Sequence, residues 1–513
     1  MIDETDTQRL AERGSNRSQR PTSQAFREFI AGNWEEREPV LPDRSPAAAP
    51  AAARRERIGL LFRGDRLVVP AGQLVTRSND TDYRFRPHSA FAHLTGLGAD
   101  QEPDAVLLLE PLADAPADGP THEAVLHIRP AAGKDTEEFY ADARYGELWV
   151  GVRPTLAEVE ARTGIRCAHL DTLPDAVAKD AGQVTIRVVP GADAAVTALV
   201  QRVREEVGAT TSTEDDDALA EALSEMRLTK DDHEIGELRM AIAATAAGFD
   251  DLIRSFPRAT AHPRGERVLE GAFGARARED GNGLGYETIA AAGDHANTLH
   301  WIANDGPVRP GQLVLVDAGV EVDSLYTADI TRTLPVSGRF TDAQREVYQA
   351  VLDACEAALG KAREKGARFR DVHAAAMEVI AQRLEAWGML PVSAAESLAP
   401  EGQYHRRWMV HGTSHHLGLD VHDCAQARRE LYLDAELRPG MVFTIEPGLY
   451  FRADDLAVPP RFRGIGVRIE DDVLVTGDGA ERLSEEIPRT VADVEAWVQR
   501  LLPPPDGQEA GAR

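Results

Sequence analysis

The C-terminal half of the sequence contains a set of apolar, strand-like runs that carry charge where a half-buried strand should be apolar. The run QLVLVDAG ends at Asp317, YTADITRTLPV is interrupted at Asp329, and MVFTIEPGLY is broken at Glu446. In GVRIEDDVLV, strand alternation puts Arg468 and Glu470 on one face. Four runs that break the strand pattern in the same way indicate one shared polar site.

Carboxylates brought together in a protein interior need cations to balance them. Each buried charge loses its hydration, and neighbouring carboxylates repel one another at short range. Arg468 can offset one charge, but the four runs supply at least four acids. Bound divalent metal is therefore the simpler explanation. A purely structural acidic domain does not explain why acids end or interrupt four apolar runs.

A histidine-rich segment, HGTSHHLGLDVHD at residues 411–423, supplies the imidazole that such a metal site needs. Its density of histidines favours metal ligation or catalysis, whereas a single histidine is more often a core or surface residue. His300, in ANTLHWIANDG, is a weaker candidate and by itself fits a surface loop equally well. Oxygen-rich ligation with one imidazole suits Mn, Co, Fe or Zn. Two such ions held by shared carboxylates perform amide or ester hydrolysis.

At these residues the sequence resembles the family of aminopeptidase P, prolidase and methionine aminopeptidase, whose catalytic domain has the pita-bread fold. The motifs DAG, ADITRT, HGTSHHLGLDVHD, IEPGLY and GIGVRIED occur in the order typical of the family. The resemblance implies five metal ligands: Asp317, Asp329, His415, Glu446 and Glu470. Asp329 and Glu470 would bridge two divalent ions, and Asp317 would bind one of them. His415 and Glu446 would complete the coordination of the other ion, and Glu446 would also shuttle a proton.

The same resemblance assigns roles around the ions, for which Mn²⁺ is the expected metal and Co²⁺ or Zn²⁺ are alternatives. His300, His411 and His422 match histidines that line the substrate cleft, and His422 is the first choice for stabilising the transition state. Arg468 matches an arginine whose ion pair with a ligand carboxylate orients that ligand. His416 alternates to the opposite side if its segment is extended, so we leave it out of the site.

The chain of 513 residues is long enough for two or three domains. Residues 1–55 are polar and then rich in proline and alanine, which predicts a flexible N-terminal arm. Residues 56–225 are predicted to form an α/β domain, because AVLLLEP and AVLHIRP are apolar runs of strand length. Residues 230–500 are predicted to form the α+β pita-bread domain, and residues 501–513 a flexible tail.

Several local elements of the second domain are predicted from their sequence. A long helix opens the domain, with a capping box formed by Asp231 and Glu234. A second helix is predicted from about Asp342 to Lys365, preceded by the capping pair Thr341 and Gln344. The two ligand aspartates stand one residue further apart than in many family members, which predicts an altered turn around residues 321–325.

The N-terminal half narrows the resemblance to one subclass. YRFRPHSAFAHLTGLG followed by DAVLLLEP resembles the N-terminal domain of aminopeptidase P, which methionine aminopeptidases lack. Creatinase shares both domains but lacks the metal ligands. The resemblance therefore implies an Xaa-Pro aminopeptidase that acts on peptides with proline at the second position. A prolidase that cleaves free Xaa-Pro dipeptides, and a non-catalytic peptide-binding scaffold, stay open as alternatives.

Charge and cysteine content limit the partners and the compartment. A formal charge of −28 opposes binding to nucleic acid and to anionic membrane surfaces. No apolar run reaches the roughly 18 residues of a membrane span, and the charged first segment lacks a secretory core. Three cysteines at separations that fit neither a disulfide framework nor a zinc site favour a reducing compartment, so we expect a cytoplasmic protein. The family resemblance suggests a dimer or tetramer.

Overall fold

The computed structural model describes residues 21, 23–35, 37, 40–79, 81–99, 102–116, 119–209 and 213–502. Within these ranges, none of the helices combines the length and apolar character that a membrane span needs. Residues 1–20 of the predicted arm and residues 503–513 of the predicted tail lie outside the described residues.

The described part of the N-terminal half contains seven strands: β1 (Arg66–Pro70), β2 (Thr76–Ser78), β3 (Thr81–Asp82), β4 (Val106–Pro111), β5 (His122–Ile128), β6 (Arg166–His169) and β7 (Ile186–Val188). Five of them form a mixed sheet in the order β6-β5-β4-β1-β7, and β2 and β3 form a separate hairpin. The predicted strands AVLLLEP and AVLHIRP are confirmed as β4 and β5, which pair antiparallel. β1 is buried along its whole length, because it lies inside the sheet between β4 and β7.

Helices of the N-terminal half surround this sheet. They span Gln24–Ala31, Ala48–Leu61, Ser89–Thr95, Glu137–Ala141, Glu147–Val150, Leu156–Thr163, Leu173–Ala178, Ala194–Glu206 and Thr213–Met226, with a 3-10 turn at Leu170–Thr172. Leu219 and Leu223 of the last helix pack into the same core as Leu67 and Leu107 of the sheet. This helix therefore belongs to the N-terminal core although it lies next to the catalytic domain in sequence.

The structure differs from the sequence prediction at the end of the N-terminal arm. Helix Ala48–Leu61 begins inside the predicted arm, and Ala48 and Ala51 are buried. Arg54 of this helix donates a hydrogen bond of 2.6 Å to Asp231 across to the second half of the chain. Pro50 lies in the first turn of the helix, where its missing N–H breaks no hydrogen bond. Residues 48–55 are thus ordered by packing, while the predicted boundaries 56–225 and 230–500 stay predictions.

Up to residue 502, the C-terminal half contains ten strands: β8 (Gly283–Leu284), β9 (Ile289–Ala292), β10 (Leu313–Ala318), β11 (Val320–Glu321), β12 (Ile330–Pro335), β13 (Val442–Ile445), β14 (Gly448–Phe451), β15 (Ile465–Arg468), β16 (Asp471–Thr476) and β17 (Gly479–Arg482). They form two three-stranded sheets, β12-β10-β9 and β13-β16-β17, and two ribbons, β14-β15 and β11-β8. The four predicted runs are confirmed as strands, so their acids lie at or near strand ends.

Helices of the C-terminal half pack around these sheets in one continuous core. They span Asp232–Arg254, Phe256–Thr260, Gly265–Asp280, Asp342–Ala362, Phe369–Ala386, Ala394–Leu398, Arg429–Tyr432 and Val491–Leu501, with 3-10 turns at Gly293–Asn297 and Tyr404–Arg407. Both predicted capping boxes are confirmed, Asp231 with Glu234 and Thr341 with Gln344. The second predicted helix ends at Ala362, three residues before the predicted Lys365.

The predicted strand GVRIEDDVLV is divided into β15 and β16 at Ile469 and Glu470. The backbone N–H of Glu470 donates to the carbonyl of Thr331 at 3.0 Å, and Arg332 donates to the carbonyl of Glu470 at 2.5 Å. At Glu470 the chain leaves the β14-β15 ribbon and enters the sheet β13-β16-β17. The two bonds hold Glu470 against β12 at this crossing. In the turn between the two aspartates, Leu325 takes a left-handed backbone conformation with φ of 75°.

Candidate metal centre

The five residues predicted to bind metal border one cavity of about 510 Å³ in the C-terminal half. Asp317 lies in β10, and Asp329 directly precedes β12. Glu446 directly follows β13, and Glu470 lies between β15 and β16. Strand ends from three different sheets or ribbons therefore aim carboxylates into one space, and His415 reaches it from the loop between the 3-10 turn Tyr404–Arg407 and helix Arg429–Tyr432.

Asp317 and Asp329 share the hydroxyl group of Tyr286. The phenol oxygen lies 2.7 Å from Oδ1 of Asp317 and 2.5 Å from Oδ1 of Asp329. Burial, followed by the charges of Asp317 and Asp329, raises the pKa of Tyr286 well above its usual range, so the hydroxyl stays protonated. A phenol donates only one hydrogen, and one of these two carboxylates therefore needs another partner.

Asp329, His415 and Glu470 form the tightest cluster of ligand atoms. One ligand atom from each lies within 4.8 Å of the other two. Nε2 of His415 is 3.2 Å from Oδ2 of Asp329 and 3.8 Å from Oε1 of Glu446. Burial opposes protonation of His415, but the hydrogen bond and charge of Asp329 outweigh it and raise its pKa to about 9. The ring nitrogen that faces Asp329 thus attracts a cation, either a proton or a metal ion.

The remaining carboxylates cannot ionise easily without a neighbouring cation. Burial, aided by the charge of Asp329, raises the pKa of Glu470 well above its usual range. Burial also raises the pKa of Glu446 to about 8, in spite of the opposing charges of His415 and Arg468. Four carboxylates and one imidazole form the oxygen-rich donor set that Mn, Co, Fe or Zn prefers. The residues present therefore fit the divalent metal ions that the sequence implies.

Arg468 holds two of the predicted ligand carboxylates in place. Its Nη2 donates to Oδ2 of Asp317 at 2.5 Å, which is the ion pair that the sequence predicts. Its Nε donates to the hydroxyl of Thr331 at 3.1 Å, and that hydroxyl donates to Oε2 of Glu470 at 2.7 Å. Its Nη1 donates to the hydroxyl of Tyr450 at 3.1 Å. One buried guanidinium thus fixes Asp317 directly and Glu470 through Thr331.

The three histidines predicted on the substrate side border the same cavity. Nε2 of His411 is 2.7 Å from the hydroxyl of Tyr450, and burial, followed by the charge of Arg468, lowers the pKa of His411 to about 3. The ring of His422 meets the ring of His415 edge-on at 4.5 Å, and burial lowers the pKa of His422. Neutral imidazoles at these positions are able to donate hydrogen bonds to a substrate. His300 is exposed at the rim of the cavity.

His416 lies away from the cavity, in agreement with its exclusion from the predicted site. It is fully buried, and its ring stacks on Phe369 with 4.6 Å between the ring centroids. Its Nε2 is 3.4 Å from the backbone carbonyl of Tyr432. Burial lowers its pKa to about 3, so this histidine packs as a neutral aromatic ring.

Three side chains of the site were not predicted from the sequence: Tyr286 and Thr331, which contact predicted ligands, and Tyr450, which contacts Arg468. Tyr450 lies inside the motif IEPGLY and Thr331 inside ADITRT, so both motifs contained the signal. Tyr286 lies in GNGLGYETIA, which has no pattern that distinguishes it from an ordinary loop. Only the tertiary structure brings its hydroxyl between the two aspartates.

Comparisons of the sequence with known proteins agree with this geometry. Residues 236–477 match the model of Metallopeptidase family M24, and residues 51–188 match the model of the aminopeptidase P N-terminal domain. Xaa-Pro aminopeptidase 1 of Streptomyces coelicolor is 47% identical over 484 residues, which cover 93% of both chains. Xaa-Pro aminopeptidase 2 of the same organism is 49% identical over 463 residues, covering 90% of this chain and 93% of the relative.

Solved structures give the same relationship. Escherichia coli aminopeptidase P with the inhibitor Pro-Leu is 30% identical, with a TM-score of 0.75 over 89% of this chain and 99% of the other. The aminopeptidase PepP of Pseudomonas aeruginosa is 29% identical, with a TM-score of 0.73 over 90% and 99%. The chain therefore belongs to metallopeptidase family M24, and its pita-bread catalytic domain follows an aminopeptidase P N-terminal domain.

Proposed function

We propose that this protein is a metal-dependent aminopeptidase that hydrolyses the bond between any N-terminal residue and a following proline in peptides. The observation that carries the proposal is the convergence of four carboxylates and one imidazole in a cavity that three further histidines border. The names of the Streptomyces relatives, Xaa-Pro aminopeptidases 1 and 2, support this substrate class.

The proposed metal ligands are Asp317, Asp329, His415, Glu446 and Glu470, with Asp329 and Glu470 shared between two ions. Divalent ions held there would supply Lewis acidity, which polarises the scissile carbonyl and makes the attacking water more acidic. We favour Mn²⁺ because oxygen ligands dominate the donor set, and Co²⁺ and Zn²⁺ are the alternatives.

The protein's own groups would move the proton and stabilise the developing charge. Glu446, whose Oε2 is 3.6 Å from Nδ1 of His411, would take a proton from the attacking water and pass it to the departing proline nitrogen. The neutral ring of His422 would donate a hydrogen bond to the scissile carbonyl oxygen as negative charge develops on it. His300, at the exposed rim, would contact the residues that flank the cleaved bond.

Selectivity for proline has a simple basis in the walls of the cavity. Apolar side chains stand beside the polar centre: Ile289, Leu299, Ile302 and Val421. The amide nitrogen of proline has no hydrogen to donate, so a pyrrolidine ring needs apolar contact and no acceptor from the protein. The E. coli relative binds Pro-Leu as an inhibitor. A dipeptide that begins with proline corresponds to the product left when the residue before proline is removed from a tripeptide, which favours an aminopeptidase over a prolidase.

The deciding experiment compares Xaa-Pro-Yaa tripeptides with Xaa-Pro dipeptides, using protein stripped of metal and reconstituted with Mn²⁺, Co²⁺ or Zn²⁺. Tripeptide cleavage restored by metal is the expected result. Cleavage of dipeptides alone would identify a prolidase. No cleavage with any metal, combined with fewer than two bound ions, would identify a peptide-binding scaffold.

Variants of the shared ligands test the site itself. Asp329→Ala or Glu470→Ala should abolish turnover and lower the metal content, because each removes a carboxylate that both ions need. Asp478→Asn is a suitable control, because Asp478 is exposed beside β17 and does not border the cavity. Wild-type activity in either ligand variant would refute the bridging assignment.

The proposal includes a cytoplasmic location and a homo-oligomer, either a dimer or a tetramer. Three unpaired cysteines, Cys167, Cys355 and Cys424, suit a reducing compartment. A run of exposed apolar side chains in the N-terminal half supports self-association: Leu148, Trp149, Val150 and Val152. Light scattering coupled to gel filtration gives the mass, and a monomer with full activity would contradict the oligomer.

A further inference from the structure

The ring of His422 has no hydrogen-bond partner within the part of the chain that the structure describes. Its ring contact is the edge-on approach of His415 at 4.5 Å. The orientation of His422 therefore depends on the backbone that carries it, residues 418–424, which we call the His422 loop. Whatever holds this loop also holds the imidazole.

The catalytic domain and the segment just before it hold the two ends of the His422 loop. At the C-terminal end, Asp423 accepts hydrogen bonds from Nε of Arg227 at 2.9 Å and from Nζ of Lys230 at 3.3 Å. At the N-terminal end, the carbonyl of Gly418 accepts from the backbone N–H of Thr327 at 3.1 Å. In the middle of the loop, Oδ2 of Asp420 lies 3.6 Å from Nη2 of Arg227 and the loop has further partners.

The N-terminal domain holds the middle of the loop. Nη2 of Arg86 donates to the carbonyl of Leu419 at 2.5 Å, and the hydroxyl of Ser89 donates to Oδ1 of Asp420 at 2.5 Å. The same guanidinium donates through Nε to Oε2 of Glu321 at 2.7 Å. Glu321 is nearly fully buried, so this is a fixed anchor.

Arg86 consequently connects two loops that carry the proposed site. Glu321 lies in the segment between Asp317 and Asp329, and Leu419 lies in the segment between His415 and His422. The planar guanidinium has donors that point in different directions, which allows one side chain to fix both loops at once. A lysine has a single ammonium and is not able to reproduce both contacts.

We propose that Arg86, assisted by Ser89, is a positioning residue for His422, through which the N-terminal domain supports catalysis without touching the substrate. This inference rests on the proposed function for the role of His422. Removal of Arg86 should leave the metal ligands in place and let the imidazole move away from the scissile carbonyl.

Arg86→Ala should lower kcat about 10- to 100-fold, the range expected when a catalytic group is displaced by about 1 Å. KM should change less than about 2-fold, because a hydrogen bond that forms mainly in the transition state contributes little to substrate binding. Arg86→Lys should recover part of kcat, and Ser89→Ala should give a smaller loss in the same direction.

Arg428→Ala is the matched control. Its Nε donates to Oε1 of Glu225 at 2.6 Å, which joins the segment after the His422 loop to helix Thr213–Met226 of the N-terminal core. This variant also removes an arginine that links the two halves of the chain, but it leaves Leu419 and Asp420 untouched. Its kcat should therefore equal that of the wild type.

Hydrogen exchange of the full-length, metal-loaded protein provides a readout that does not depend on the substrate. Arg86→Ala should speed exchange in residues 418–424, whereas Arg428→Ala should not.

If the wild type cleaves no Xaa-Pro peptide, the proposed function fails, and the exchange data still decide whether Arg86 holds the loop. Equal kcat and equal exchange in Arg86→Ala and Arg428→Ala would overturn the inference. If Arg86→Ala loses metal or stability, Ser89→Ala decides, and wild-type kcat in that variant would overturn it.

Discussion

The most direct test of the packing behind the site is the substitution Glu266→Gln. Glu266 is fully buried at the start of helix Gly265–Asp280. Its Oε1 accepts from the backbone N–H of Ala292 at 2.8 Å and from Nδ1 of His295 at 2.7 Å. Its Oε2 accepts from Nε1 of Trp301 at 2.9 Å and from the backbone N–H of Gly306 at 2.6 Å. The loop that these donors enclose carries His300.

The size of the effect follows from these four bonds. A glutamine has the same shape, but its NH₂ group would face two N–H donors in place of one carboxylate oxygen. Two hydrogen bonds to a charged acceptor would be lost, each contributing about 1.5–3 kcal/mol. Removing a buried charge offsets part of this loss. We therefore expect Glu266→Gln to destabilise the protein by about 3 kcal/mol.

Urea unfolding followed by tryptophan fluorescence measures the change, since Trp301 is one of the donors. Glu270→Gln is the control, because Glu270 lies one turn further along the same helix and is only half-buried. That variant should stay within about 0.5 kcal/mol of the wild type. Turnover of Glu266→Gln should also fall, as the loop that carries His300 loosens. Equal unfolding of the two variants would refute the proposed role of Glu266.

Three further predictions concern the metal centre, a surface ion pair and helix packing. Burial and neighbouring carboxylates raise the pKa of Glu470 above its usual 4.5, so metal-free wild type should lose stability as the pH rises above 4.5. In thermal unfolding with chelator, Glu470→Gln should show a shallower slope, to which Glu446 still contributes, and an unchanged slope would contradict this. Hydrogen bonds, of which that from Arg407 has the largest effect, lower the pKa of Asp455 from 3.8 to about 2. Asp455→Asn should therefore be less stable than the wild type above pH 3.8, and this difference in stability should vanish as the pH falls toward 2. A difference between the two melting curves that persists at low pH would contradict this. Gly248→Ala would put its Cβ 2.6 Å from the ring of Phe273 and should destabilise by about 1–3 kcal/mol in urea. Gly271→Ala meets no atom within 4 Å and should stabilise by about 0.5–1 kcal/mol, so the same sign for both would refute the packing argument.

The candidate site could be predicted from the sequence to the extent that its signal is local. Asp317 and Glu446 stand at the ends of apolar runs, and His415 lies in a dense histidine segment, so each is visible within a few residues of sequence. The capping pairs Asp231 with Glu234 and Thr341 with Gln344 are equally local, because they satisfy N–H groups within one helical turn. Family motifs then added the assignment of ligands, which short patterns alone do not give.

Other features depend on contacts between segments that are distant in the chain. Helix Ala48–Leu61 was missed because its segment contains proline and has no apolar periodicity, although alanine is a strong helix former. The helix is held by the packing of Ala51 and by the bond from Arg54 to Asp231.

Tyr286 and Arg86 have ordinary surroundings in sequence, and only the folded chain brings Tyr286 between the two aspartates and Arg86 between the two loops. The sequence by itself determined most of the strands and helices of the catalytic domain and their caps, because these follow from short-range patterns, and the family motifs supplied the predicted ligands. The tertiary structure decided which side chains orient those ligands and how the N-terminal domain reaches the His422 loop, because such contacts form only when distant segments pack together.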